Sequence, residues 1–164
     1  TFAHILSFAA TLEGKYGQSS QAVTIERRGA PTQGFARIGD RPIAERGLIA
    51  NPDYVVSIDP TLIEAVDLEA GMTENGMLVV NSPVKPELKH KFTYFDATSI
   101  ALDVLKNPIT NTVMLGGFVA ATGLVSLESI IKSTRSVLDK KLSDKILERN
   151  ITAISQAYEE VKNG

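Results

Sequence analysis

Three short runs of apolar residues constrain the fold of this chain most strongly. They lie at residues 54–58, 77–81 and 92–95, and segments with helical spacing separate or follow them. Buried strands that alternate with helical segments are typical of a parallel sheet whose faces are covered by helices. Asp59 and Asp96 follow the first and third runs directly, and each is predicted to cap the helix that comes next. The pattern predicts an α/β fold.

Helical patterns are concentrated at the two ends of the chain. Apolar residues at helical spacing predict helices over residues 1–14, 112–122, 126–138 and around 147–161. The second of these is almost wholly apolar, so it is expected to lie buried between layers and to end at Gly123. Most of the predicted helices therefore lie in the second half of the chain, after the strands of the sheet.

Two further short strands are predicted before the parallel sheet. They are placed at residues 22–25 and 35–38, on either side of a basic turn. Together the elements predict a three-layer α/β/α, Rossmann-like domain with a mainly parallel sheet and C-terminal helices. A length of 164 residues, with 43% of them hydrophobic, favours one domain over residues 1–164.

The charge pattern argues against two classes of partner. The formal net charge is -2 and no long basic run is present, which disfavours binding to nucleic acid. No apolar stretch approaches the roughly 20 residues needed to cross a bilayer. We therefore expect a cytoplasmic protein with no membrane partner.

Residue types that hold metals and clusters are scarce. The chain has no cysteine, so it is expected to bind no iron-sulfur cluster. Its histidines, His4 and His90, are far apart in the sequence and lack a carboxylate at metal-ligand spacing. The sequence predicts no metal site and no thiol nucleophile, and we assign no catalytic residue.

Several short motifs follow one another along nearly the whole chain. They occupy residues 26–31, 35–38, 41–43, 51–54, 59–62, 81–82, 96–101, 111–116 and 123–129, with a late Asn150. Each is weak evidence alone, but in this order they resemble the gamma subunits of pyruvate synthases, in the 2-oxoacid:ferredoxin oxidoreductase family. The form Glu-Arg-Arg-Gly-Ala-Pro at 26–31 is similar to that of the pyruvate and branched-chain 2-oxoacid enzymes.

This resemblance implies a role as one subunit of a larger enzyme. Such a complex interconverts pyruvate, coenzyme A and oxidised ferredoxin with acetyl-CoA, CO2 and reduced ferredoxin. Thiamine diphosphate, Mg²⁺ and [4Fe-4S] clusters would lie on partner subunits, so this chain alone would bind no cofactor. The implied partners are alpha, beta and delta subunits, with ferredoxin as an indirect one. Alternative substrates are 2-oxoisovalerate, 2-oxoglutarate and oxalate.

The basic segment of the first motif is the main candidate for binding coenzyme A. Arg27 and Arg28 offer guanidinium groups that match phosphate oxygens with paired donors. Gly29, with Ala30 beside it, would let backbone N–H groups approach the ligand closely. The alternative is that one arginine pairs with a carboxylate, within the subunit or across an interface, while the other is solvated.

Two polar residues precede the apolar helix and form a second candidate site. The side chains of Asn111 and Thr112 are predicted to cap this helix, whose free N–H groups could face an anion. Within the same helix, Gly116 and Gly117 each cost about 1 kcal/mol relative to alanine. We expect close packing against another backbone or subunit to offset that cost.

The start of the chain departs from the family pattern. Family members begin with a strand and a loop of the form Gly-x-Gly-Gly-Gln-Gly, whereas Thr1 already lies in the predicted first helix. Without that strand, a neighbouring strand edge would be exposed. We therefore expect a natural protein that is longer at its N-terminus, or another chain that supplies the strand.

Two other classes of function compete with the subunit role. A free-standing dinucleotide-binding enzyme would need a strand, a glycine fingerprint and an acidic residue about twenty positions later. The sequence shows no such set. A purely structural interaction domain that binds no ligand is the remaining alternative.

Overall fold

A computed structural model of the chain describes residues 1–22 and 31–164. Its strands are β1 (Tyr16–Gln21), β2 (Gly34–Gly39), β3 (Tyr54–Ser57), β4 (Met77–Asn81) and β5 (Lys91–Phe95). Its helices are α1 (Phe2–Leu12), α2 (Leu62–Ala65), α3 (Ala97–Ile100), α4 (Asn111–Thr122), α5 (Leu127–Leu138) and α6 (Asp144–Asn163). A π-helical stretch, Ala101–Leu105, continues α3.

The three predicted apolar runs form one parallel sheet in the order β3-β4-β5. Every residue of the central strand β4 is buried. Successive side chains in a strand point to opposite faces, so Val79 faces one side while Leu78 and Val80 face the other. All three have no exposed surface, so both faces of the sheet are covered. The prediction of an α/β fold with a parallel sheet is confirmed.

Helix α4 lies at the centre of the helical group. Eight of its residues, Thr112 to Val119, are buried, and it packs most extensively against α6 and also against β4. Gly123 ends the helix in the left-handed conformation, with φ 62°, which glycine adopts without strain. The predicted burial and end of this helix are confirmed.

The strand that pairs with β2 lies earlier in the chain than the strand predicted at 22–25. β1 covers Tyr16–Gln21 and pairs antiparallel with β2, whereas Ala22 lies outside the strand and residues 23–25 are outside the described part of the chain. Its sequence is polar, and pairing with β2 and packing on α1 hold it in place. A β-carbon on Gly17 would lie 2.1 Å from the carbonyl oxygen of Ser7, so glycine permits this close approach.

The two aspartates that follow strands differ in their capping. Asp96 is the N-cap of α3, and its carboxylate accepts a hydrogen bond from the backbone N–H of Ser99 at 2.9 Å, as predicted. Asp59 is not the N-cap of α2, which is Thr61. Asp59 instead closes a local turn, because its Oδ1 accepts from both the backbone N–H and the hydroxyl of Thr61. The helix consequently begins at Leu62.

Long-range hydrogen bonds join the N-terminal helix region to the second half of the chain. Glu13 Oε1 accepts from the backbone N–H of Ser126 at 2.7 Å, and Lys15 Nζ donates to the carbonyl oxygen of Leu124 at 2.8 Å. The buried hydroxyl of Ser133, in α5, donates to the carbonyl oxygen of Ile5 at 2.6 Å. The connection between α4 and α5 is thus held by residues that just follow α1.

Candidate functional site

The carboxyl ends of β3 and β4 meet at a buried asparagine. Asn81 ends β4 with no exposed surface, and its Nδ2 donates to the carbonyl oxygen of Ile58 and to the hydroxyl of Thr98, both at 2.9 Å. Thr110 donates its hydroxyl to the same Ile58 carbonyl at 3.2 Å. Open α/β sheets place ligands at this carboxyl edge, and these bonds join the ends of β3 and β4 to the starts of α3 and α4 there.

Asn81 belongs to one of the sequence motifs but was not assigned to the candidate site. The signal available in the sequence was a polar amide that closes an otherwise apolar strand. A buried amide must find partners for its donors and acceptor, so such a residue marks a point where several segments converge. Its role in the structure is to position the edge loops.

The carboxylates at this edge are engaged in local contacts. Asp59 binds Thr61, as described, and Asp96 Oδ2 additionally accepts from the hydroxyl of Ser99 at 2.6 Å. A general acid or base needs hydrogen-bond reach to a reacting group and a matched pKa. Asp96 instead caps α3 and Asp59 closes a local turn, so these two carboxylates shape the loops after β5 and β3.

The prediction that Asn111 and Thr112 cap α4 is wrong. The N-cap of this helix is Thr110, and no side-chain hydrogen bond caps the helix. Thr112 is buried and donates its hydroxyl to Oδ1 of Asn150 in α6 at 2.6 Å. The physical reason is the burial of α4, because a buried hydroxyl facing another helix is satisfied by a partner across the interface. Asn111, half-buried, begins the helix beside the carboxyl edge.

The other four candidate residues, Arg27, Arg28, Gly29 and Ala30, lie outside the described residues. The strands on either side of this segment are β1 and β2, which bring Gln21 opposite Gly34.

A third arginine, Arg37 in β2, is held by backbone carbonyls. Its guanidinium donates to the carbonyl oxygens of Gly47 and Leu48 at 3.0 and 3.2 Å. Arg37 thereby holds the loop between β2 and β3.

The two helical glycines make the close packing that was predicted. A β-carbon on Gly116 would lie 2.0 Å from the carbonyl oxygen of Ile154, and one on Gly117 would lie 2.2 Å from the ring of Phe95. The backbones of α4 and α6 therefore touch at Gly116, and the end of β5 packs on Gly117. These glycines set the position of the middle of α4 against α6 and against the end of β5.

A charged clasp lies in the loops on the amino-terminal side of β5. Glu69 Oε1 accepts from the backbone N–H groups of Lys89 and His90 at 2.9 and 2.7 Å, and His90 Nδ1 lies 2.7 Å from the same oxygen. These contacts, the His90 backbone bond first, lower the pKa of the Glu69 carboxyl below its ordinary value. The loop before β5 is thereby held in place.

Metal-binding groups do not assemble in the described ranges, 1–22 and 31–164. No group of three or more histidine, cysteine, aspartate or glutamate residues there could hold a metal ion.

No helix in these ranges is both long and apolar enough to span a bilayer.

Comparison with known proteins decides the family. Residues 1–160 match the pyruvate ferredoxin/flavodoxin oxidoreductase family. The chain belongs to this family. Its fold supports the same assignment, because it superposes on the crystal structure of pyruvate oxidoreductase subunit PORC from Thermotoga maritima with a TM-score of 0.79. That match has 36% sequence identity and covers 96% of this chain and 86% of the other.

Relatives in the pyruvate ferredoxin/flavodoxin oxidoreductase family match over nearly their whole length. The chain is 43% identical over 164 residues to pyruvate synthase subunit PorC of Methanothermobacter marburgensis, covering 99% of this chain and 90% of that one. It is 42% identical over 170 residues to the pyruvate/ketoisovalerate oxidoreductases common subunit gamma of Pyrococcus furiosus, with the same coverage. The chain is a gamma-type subunit of this oxidoreductase family, which confirms the resemblance found in its motifs.

Proposed function

We propose that this chain is the gamma subunit of a pyruvate:ferredoxin oxidoreductase complex. The complex would interconvert pyruvate, coenzyme A and oxidised ferredoxin with acetyl-CoA, CO2 and reduced ferredoxin. The observation that carries the proposal is the 43% identity to a pyruvate synthase subunit over 164 residues. The proposal includes the cytoplasmic location expected from the sequence.

The residues of this chain support a non-catalytic role. It has no cysteine for an iron-sulfur cluster, and the carboxylates of Asp59 and Asp96 at the sheet edge are bonded within a turn and a helix cap. Thiamine diphosphate, Mg²⁺ and [4Fe-4S] clusters are therefore proposed on alpha, beta and delta partner subunits. The gamma chain would contribute to assembly and to binding coenzyme A.

Coenzyme A is proposed to bind at the basic segment. Arg27 and Arg28 would pair with its phosphates, and Gly29 and Ala30 would allow close approach of the backbone. Asn111 would extend this site from the start of α4.

Thr112 would support this site indirectly, by positioning α4. Its hydroxyl is occupied by Asn150 at 2.6 Å, so it would hold α4 in place while Asn111 faces the ligand. We therefore propose a supporting role for Thr112 in the coenzyme A site.

Reconstitution with the partner subunits tests the subunit role directly. The chain would be co-expressed with the alpha, beta and delta chains of its source cell and purified through a tag on the beta chain. We expect all four chains to co-elute and the complex to reduce ferredoxin only when both pyruvate and coenzyme A are supplied. Full turnover of pyruvate by the isolated gamma chain, or failure to join thiamine-bearing chains, would refute the proposal.

A second substrate has support from one relative. The Pyrococcus furiosus subunit is named as common to pyruvate and ketoisovalerate oxidoreductases. If the present chain is shared in the same way, it should co-elute with two alternative sets of catalytic chains. Turnover of 2-oxoisovalerate by one set and of pyruvate by the other would show that the chain is shared. Co-elution with only one set of catalytic chains would restrict the chain to one substrate. Oxalate and 2-oxoglutarate can be compared in the same assay.

A further inference from the structure

The outer edge of β5 borders a groove of about 890 Å³. Within residues 1–22 and 31–164, β5 pairs with β4 alone, so its other side has no strand partner. All five β5 residues line this groove, and its remaining walls are the loop at 82–90 and the end of α6. The unpaired N–H and C=O groups of a strand edge are a template for adding another strand.

Three lysines make the first part of this groove basic. Lys85, Lys89 and Lys91 line it and are exposed, and none forms an ion pair within the described residues. The acidic residues in its lining are Asp96, whose carboxylate is bonded to Ser99, and Glu160 of α6. Positive charge is therefore concentrated before and at the start of β5.

Two aromatic residues form an apolar surface in the same groove. Phe92 and Tyr94 lie two residues apart and hence on one face of β5, with ring centroids 6.3 Å apart. Tyr94 is 40% exposed. The clasp between Glu69 and the backbone of Lys89 and His90 holds the adjoining loop, so this surface is positioned in the isolated chain.

We propose that an extended acidic segment of a partner subunit adds as a strand to the outer edge of β5. Its carboxylates would contact Lys85, Lys89 and Lys91, and an apolar side chain would cover Phe92 and Tyr94. The proposal rests on the proposed subunit role, which supplies the partner. Lysines on an edge also prevent strands from pairing with copies of themselves, but that protection requires neither a walled groove nor an exposed aromatic ring such as that of Tyr94.

Charge reversal in the reconstituted complex tests this docking edge. The variant combines Lys85→Glu, Lys89→Glu and Lys91→Glu. Its matched control combines Lys140→Glu, Lys141→Glu and Lys145→Glu, which change the same charge at exposed positions outside the groove. We expect binding of the triple variant to the partner chains to weaken by about tenfold or more, with the control unaffected. Binding of the unaltered chain should also weaken as salt rises.

Hydrogen exchange of the unaltered chain separates strand addition from a simple charge contact. On assembly, amide exchange should slow within residues 91–95, because new backbone hydrogen bonds form there. Unchanged exchange in this segment, or normal binding of the triple variant, would overturn the docking edge. A triple variant that binds normally but self-associates would show that the lysines only protect the edge. Failure of the unaltered chain to join any partner would overturn the subunit role and this proposal together.

Discussion

Gly116 lets helix α4 lie directly against the backbone of Ile154 in α6. The β-carbon of an alanine at this position would lie 2.0 Å from the Ile154 carbonyl oxygen, a distance that real β-carbons do not adopt. The obstacle is backbone, which cannot rotate away as a side chain can. The separation of the two central helices is therefore set by the absence of a side chain.

Replacing Gly116 by alanine should destabilise the fold. Forcing α4 and α6 apart costs about 1–3 kcal/mol, more than the gain of roughly 1 kcal/mol in helix propensity. Urea unfolding of the isolated chain measures the change. Gly39→Ala is the control, because the nearest atom to its added β-carbon is at 3.7 Å. Equal stability of the two variants would show that the helices can shift apart freely.

The buried bond between Thr112 and Asn150 should show energetic coupling. Thr112→Val keeps the shape but leaves Oδ1 of Asn150 without its donor, at a cost of about 1–3 kcal/mol. A double-mutant cycle with Asn150→Ala should give a coupling energy of at least about 0.5 kcal/mol. Thr152→Val serves as the control, since its exposed hydroxyl bonds only to the carbonyl oxygen of Glu148. Additive effects would contradict the proposed contact.

Replacing Thr134 by valine should stabilise the fold. It has no exposed surface, and its hydroxyl finds no hydrogen-bond partner in the described part of the chain. Thr134→Val removes an unpaired polar atom and should raise the free energy of unfolding by roughly 1 kcal/mol. The adjacent Ser133→Ala should have the opposite sign, because Ser133 donates to Ile5. A destabilised Thr134→Val variant would reveal a partner for that hydroxyl.

The clasp at Glu69 should make the stability of the fold depend on pH in the acidic range. Hydrogen bonds to the carboxylate lower its pKa in the folded chain from the ordinary 4.5, so the stabilisation is complete above pH 4.5. It is lost as pH falls from that value through the lowered folded pKa. Glu69→Gln should therefore be less stable than the unaltered chain at neutral pH, with the difference shrinking in acid.

Urea unfolding from pH 7 to pH 3 measures the contribution of this carboxylate. Glu74→Gln is the control, since Glu74 is exposed and forms no ion pair within the described residues. If the difference in free energy of unfolding between the Glu69→Gln variant and the unaltered chain stayed constant across this range, the lost stability would arise from packing and not from charge.

Arg28 should contribute to the binding of coenzyme A. In the reconstituted complex, Arg28→Ala should raise the KM for coenzyme A by about tenfold or more, as expected for losing a charge-assisted hydrogen bond. Assembly should be nearly unchanged. Arg46→Ala, at an exposed position, is the matched control. Lost assembly with an unchanged dependence on coenzyme A would instead assign Arg28 to an interface.

Elements with an apolar pattern could be predicted from the sequence. The run at residues 77–81 is apolar because both sheet faces are covered, and α4 is apolar because it is buried almost throughout. Strand β1 could not be predicted in this way, since it is polar and depends on pairing with β2. Its close contact with α1 at Gly17 is likewise a tertiary effect.

Long-range side-chain partners were harder to predict than local caps. Asp96 caps α3 as its position in the sequence suggested. Thr112 was misassigned because its partner, Asn150, lies 38 residues away in the chain. Local spacing contains no information about such a contact, which forms only after α4 and α6 pack.

The bonds from Glu13, Lys15 and Ile5 to the α4–α5 region span 113, 109 and 128 residues. Contacts this distant in sequence form only after a large loop has closed. During synthesis, α1 can pack on β1 and β2 before the second half of the chain is made, but its bonds with the α4–α5 region form only after α5 has left the ribosome. The docking of α1 is therefore completed late.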